Sequence, residues 1–170
     1  KQFIKYFEED HIEITNSNVI YLNYLSERYN LTTLKTTIDK YIDDNSMNII
    51  NDHLSIYIEE NEITNSSQFE RLLSKHLTKI LPNNRLLQLP ISNINRILTQ
   101  YFKMYKAQEA NIIENKLIID FVIEFIETSG PQASLLLSKI KVEAENSEYF
   151  NQKTSENINL IDLTLLLSMP

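Results

Sequence analysis

The chain has 170 residues and a formal net charge of −7, with 23 acidic against 16 basic side chains, one glycine, four prolines and no cysteine. That length holds one compact body or two intimately packed helical subdomains, and so little glycine and proline favours long helices over a sandwich or barrel. The acidic balance without a basic run argues against nucleic acid, and the lack of cysteine removes disulfides and thiolate chemistry and suits a reducing compartment, cytoplasmic or nuclear. The longest apolar run, Leu117 to Ile126, contains Asp120 and Glu124 and is too short to cross a bilayer, so no membrane association is expected. Opening on Lys1 with no signal-peptide pattern, the sequence reads as a piece of a longer protein.

In chain order, Phe3 to Ile14 mixes aromatic, β-branched and acidic residues, and Ile12 and Ile14 flank Glu13, which predicts a short strand or extended arm. Thr15 has the character of an N-cap, followed by a helix with Val19, Leu22, Leu25 and Tyr29 on one face, while Asn23, Glu27 and Arg28 fall elsewhere. Asn30 suits the left-handed residue after that helix. A second helix from Thr32 to Asp43 carries Leu34, Ile38, Tyr41 and Ile42, and the pair predicts an antiparallel αα-hairpin. From Ser46 the pattern runs on less cleanly through Met47, Ile49, Ile50, Leu54 and Tyr57, and Glu59 to Ser67 reads as a loop and cap. The next helix starts at Ser66 or Ser67 and stops at Pro82. After Pro90, Ile94, Ile97, Leu98 and Tyr101 keep helical spacing.

Residues 112–128 form the most apolar helix of the chain, expected at the centre and covered on most sides, and Gly130-Pro131 supplies its stop signal. Ala133, Leu136, Leu137 and Ile140 predict another helix. The stretch AENSEYFNQKTSEN reads as a polar turn region anchored by Tyr149 and Phe150, and Ile158 to Leu167 as a closing apolar helix.

The run Ile14-Thr15, Asn18-Val19, Leu22, Leu25, Tyr29, Leu31, Leu34, Ile38, Tyr41-Ile42 resembles the C-terminal half of a BTB/POZ domain. The segments QFERLLSKHLTKILPNNRLLQLPISNINRIL, ENKLIIDFVIEFIE and ASLLLSKIKVEAENSEYF resemble, in order, stretches of the all-helical BACK domain that follows BTB in many adaptor proteins. The resemblance implies residues 1–45 as the end of a BTB-like domain and 46–170 as a BACK-like bundle of antiparallel helical hairpins. It also implies a non-enzymatic protein–protein interaction module, a substrate adaptor or scaffold of a cullin-type ubiquitin ligase, whose partner is a cullin or a second copy. The first half of a BTB domain, which in that family supplies most of the dimer interface, is not in this sequence, so a homodimer is expected only with such a half upstream. Similar segments precede ankyrin repeats in some protist proteins, and the alternative is a structural helical module with no ubiquitin link.

Catalytic chemistry has little to build on. His11, His53 and His76 share no ligand spacing, so each reads as a surface or hydrogen-bonded core histidine, and no metal or cofactor is expected. The acid runs Glu8 to Asp10 and Asp43-Asp44 read as solvated, and a phosphate-cradling loop cannot be made with one glycine. Tyr21 and Tyr24 bracket the apolar stripe of the first helix. With Glu27, Lys35 and Asp39 they are the candidate partner-binding residues of the hairpin.

Overall fold

Thr15 starts the first helix as its sequence suggests. Its backbone is extended and its N–H donates to Asn18 Oδ1 at 2.9 Å, while Asn18 Nδ2 donates to the Glu13 carbonyl, also at 2.9 Å. In the computed structural model residues 12–60, 66–105, 112–140, 142 and 144–164 are described, and among them all regular structure is helical, so the chain is all-α. The strand or arm expected over Phe3 to Ile14 lies, up to His11, outside the described residues, and Ile12–Thr15 has no regular structure. The chain divides into two units, Lys1–Leu72 and Leu73–Pro170.

In the first unit, α1 (Asn16–Arg28) and α2 (Thr32–Glu60) form the antiparallel hairpin. Asn16 at the start of α1 meets α2 late, donating to Asp52 Oδ2 at 2.8 Å, while Glu27 near its end meets Lys35 early in α2, at 3.4 Å. The turn between them is a Schellman motif. Asn30 is left-handed at φ 54°, Leu31 N–H donates to the Ser26 carbonyl at 2.8 Å, and Asn30 N–H to that of Glu27 at 3.3 Å.

Helix α2 does not end at Asp43. It runs unbroken for 29 residues, because its inward row passes from Leu34 and Ile38 through Ser46, which is buried, to Ile49, Ile50, His53, Leu54 and Tyr57. Nothing in the polar run 43–46 forces a stop: there is no proline or glycine, and Asn45 Nδ2 bonds back to the Tyr41 carbonyl at 3.0 Å. At the far end of α2, Tyr57 and Phe69 of α3 (Ser66–Lys75) are fully buried edge to face, centroids 5.3 Å apart at 73°. The Tyr57 hydroxyl donates to Glu70 Oε1 at 2.5 Å, giving a carboxyl that is only 2% exposed a partner.

In the second unit a turn at His76 separates α3 from the short α4 (Leu77–Ile80), where the sequence predicts one helix up to Pro82. The 3₁₀ turns Leu81–Asn83 and Arg85–Gln88 meet at Asn84, the second left-handed asparagine at φ 54°. Helix α5 (Ile91–Met104) starts after Pro90 and buries Ile94, Ile97, Leu98 and Tyr101. Helix α6 (Ile112–Ser129) is the centre of this unit: it packs against α4, both 3₁₀ turns and the two segments that follow it. It buries Ile118, Ile119, Phe121, Val122, Phe125 and Ile126. Gly130, at φ 93°, turns the chain out of it.

Three segments here differ from expectation. Pro131–Lys139 is a 3₁₀ helix, and its buried residues Ala133 and Leu136, Ser134, Leu137 and Ile140 recur at the three-residue spacing such a helix aligns. The stretch expected as a polar turn is helix α7 (Ala144–Glu156), with Asn146 buried and Tyr149 and Phe150 half-buried. The closing helix expected from Ile158 is a 3₁₀ turn, Ile158–Leu160, followed by Asp162 accepting from Thr164 N–H at 2.9 Å, and positions 165–167 lie outside the described residues.

Candidate functional site

The five candidate residues fall into two groups on the α1–α2 hairpin. Glu27, Lys35 and Asp39 make an ion network: Lys35 Nζ lies 3.4 Å from Glu27 Oε1 and pairs with Asp39 one turn on, and Gln68 Nε2 donates to Glu27 Oε2 at 3.2 Å. All three ionic groups are solvent-accessible, so the network contributes little to stability, ~0.2–1 kcal/mol per pair. Its one ammonium is shared by two carboxylates.

Tyr21 and Tyr24 belong to a different cluster. They stand three residues apart on the face of α1 turned away from Val19, Leu22 and Leu25, with Tyr21 46% exposed and Tyr24 half-buried. One turn further, Arg28 donates from Nη1 to the Tyr24 hydroxyl at 2.6 Å and sets its guanidinium carbon 5.8 Å from the Tyr24 ring centroid and 6.0 Å from that of Tyr29. The hydrogen bond to Tyr24, then the nearby tyrosine oxygens, hold the Arg28 pKa above its ordinary value, so this cation is permanent. Tyr29 is a correction: its spacing places it on the buried stripe, but it is the C-cap at the end of α1 and 54% exposed, although its N–H still donates to the Leu25 carbonyl at 2.9 Å. Arg28 is the residue that sequence reasoning left out. Its signal is the spacing of four from Tyr24, which puts guanidinium over ring.

A second cluster in the other unit uses the same chemistry with the charges paired. The Tyr149 hydroxyl donates to both oxygens of Asp120, at 2.7 and 2.8 Å. Lys153 sits 3.4 Å from Asp120 Oδ1, and Lys116 and Lys153 stand 5.0 and 5.6 Å from the Tyr149 centroid. Partial burial, then Asp120, raises the Tyr149 pKa, and Asp120 raises that of Lys153. The unit also carries a half-open groove of about 370 Å³ among Leu137, Phe150, Ile158, Ile161 and Leu163. Its Ser138 and Thr154 hydroxyls donate to their own segments' carbonyls, at 2.7 Å to Leu135 and 2.9 Å to Phe150, and no charged side chain among the described residues lines it.

His53 is a hydrogen-bonded core histidine, 9% exposed, with Nε2 2.6 Å from the Asn16 carbonyl oxygen and its ring against Phe69. His76 is half-buried at the α3–α4 turn, and His11 lies outside the described residues. Asp43 and Asp44 stand exposed on α2, and Glu8 to Asp10 lie outside the described residues. Among the described residues no cluster of His, Asp or Glu is placed to hold a metal ion, and no helix is long and apolar enough to cross a membrane. The arrangement on α1 is suited to gripping another surface: exposed rings around a fixed cation. No protein-family model matches the sequence, and neither a curated protein nor a solved structure matches it.

Proposed function

We propose that this chain is a non-enzymatic protein–protein interaction module that acts by rigid display. The observation that carries the reading is the Arg28 guanidinium held against Tyr24 and Tyr29 beside Tyr21, two of these rings about half exposed. Tyrosine and arginine are the residues that most often anchor interfaces, and an exposed patch of them on a helix fixed by a capped start and a Schellman end loses little entropy on docking. The BTB- and BACK-like resemblance extends this to an adaptor or scaffold of a cullin-type ubiquitin ligase, in the cytoplasm or nucleus, with residues 1–45 and 46–170 as the BTB-like and BACK-like parts. In that role the module supplies proximity and no catalytic residue.

The test is a quantitative pull-down from native extract with the chain and with its Tyr21→Ala/Tyr29→Ala variant as baits. A set of proteins lost from the variant supports the module, and a cullin with its RING subunit among them supports the ligase role. Identical recoveries overturn the assignment to this face. A second reading, a structural block within a larger assembly or ahead of ankyrin repeats, is favoured by the neutral groove flanked by Ile158 and Leu163, which are 44% and 48% exposed. Recovery of only filament-forming or self-derived chains, unchanged by the α1 substitutions, selects it.

A further inference from the structure

Arg28 differs from the other cations seen in ion pairs. Lys35 is matched by Glu27 and Asp39, and Lys153 by Asp120. Among the described residues no carboxylate pairs with Arg28, although the chain carries 23 acidic side chains against 16 basic ones. Its neighbours are instead aromatic: one Nη1 hydrogen bond to Tyr24, and the rings of Tyr24 and Tyr29. A guanidinium has five N–H donors in a planar fork, so one bond to a hydroxyl leaves donors for a bidentate acceptor. The rings hold the fork in place before any ligand arrives, which lowers the side-chain entropy lost on binding.

We propose that Arg28 is a preformed clamp for a single carboxylate of a protein partner, an aspartate or glutamate side chain whose apolar neighbours lie across Tyr21 and Tyr29. This rests on the interaction reading above and names the chemistry of the partner. The charges select that occupant. A polyanion such as nucleic acid meets a chain of net charge −7 and the Glu27 carboxylate on the next residue, so repulsion disfavours it. One carboxylate within an apolar segment brings a single negative charge to a guanidinium that no carboxylate among the described residues pairs, and the rings cover its flanks. A lysine at this position would keep the charge and lose the fork.

The probe is the capped peptide LEFEL with its uncharged counterpart LQFQL, titrated into the isotope-labelled full chain while the Arg28 Nε–H and the backbone amides are followed by NMR. LEFEL is expected to shift Arg28 Nε and the amides of residues 21–30 saturably, on the order of tenfold more tightly than LQFQL, the worth of one charge-assisted bond. Added salt weakens it. Arg28→Gln removes the difference between the peptides and Arg28→Lys recovers only part of it. Equal binding of the two peptides, shifts centred elsewhere, or LEFEL binding unchanged in Arg28→Gln overturns the clamp. Saturation by inorganic phosphate at the same affinity as LEFEL overturns it in favour of a general oxyanion contact. A concentration-dependent dimer lost in Arg28→Gln assigns the face to a second copy and overturns the separate partner. If the peptides show no preference while the Tyr21→Ala/Tyr29→Ala bait still loses its proteins, the module stands and only the carboxylate falls.

Discussion

Changing Tyr57 to Phe removes one oxygen atom from the interior of the first unit and leaves the rest of its packing alone. The ring keeps its edge-to-face contact with Phe69, at 5.3 Å between centroids, so the perturbation is confined to the hydroxyl that donates to Glu70 Oε1 at 2.5 Å. Glu70 is 2% exposed, so water cannot readily replace that donor. A hydrogen bond to a charged group contributes about 1.5–3 kcal/mol. With a urea slope of about 2 kcal/mol per molar, a loss of about 2 kcal/mol lowers the midpoint by ~1 M. The assay is urea unfolding followed by far-ultraviolet circular dichroism, with Tyr57→Phe, Glu70→Leu and the double variant as a cycle. The double variant is expected to recover part of what Tyr57→Phe loses, since it also removes the carboxyl whose donor Tyr57→Phe takes away. A Tyr57→Phe midpoint within ~0.2 M of the parent, or additive losses in the cycle, refutes the reasoning.

The alkaline limb of stability tests Tyr101, which is 1% exposed: burial first, then Glu114, raises its pKa above the ordinary 10.0. A raised folded pKa means that the stabilisation is whole below about pH 10 and is lost as pH climbs towards the folded value, so the thermal midpoint should fall above pH ~10 and fall less steeply in Tyr101→Phe. A parallel fall in both proteins speaks against it. Asn146 is 1% exposed and neither amide atom has a hydrogen-bond partner among the described residues, so Asn146→Leu is expected to raise stability by ~1–3 kcal/mol; a lowered thermal midpoint would show that the amide has a use in the folded state. Arg28→Gln, by contrast, is expected to change the unfolding free energy by less than ~0.5 kcal/mol, because the side chain is at the surface, while abolishing the peptide preference described above.

Where the local chemistry was strong, the residues were sufficient. Thr15 and Asn18 frame the start of α1, Asn30 takes the left-handed turn, and residues 112–129 form a helix because their apolar face is too wide for anything else. The departures have separate physical causes. At 43–46 four polar residues in a row imitate a helix end, but a single inward serine keeps the buried row in phase and packing overrides propensity. At 133–140 the apolar positions fit a period of three as well as 3.6, and after Gly130 and Pro131 the tighter helix forms. At 144–156 the sequence is polar enough to look like a turn, yet it holds no glycine or proline and offers Asn146, Tyr149 and Phe150 to one side. The candidate site was half legible. Tyr21 and Tyr24 could be seen to bracket the apolar stripe, but Tyr29 keeps the phase of that stripe and is exposed because it caps the end of α1, which periodicity alone does not register.

The unbroken course of α2 makes the first unit a ruler. At 1.5 Å per residue, Lys35 near its start and Tyr57 near its end are held about 33 Å apart, and their directions around the axis are locked together by the intervening turns. Whatever docks beside the ion network is therefore set at a fixed distance and angle from the Tyr57 end of the same helix. Inserting one residue in the polar run 43–46 would rotate one end against the other by about 100° and lengthen the rod by only about 1.5 Å. The spacing would be nearly kept and the phase lost, and a partner that must engage both ends at once would sense the difference.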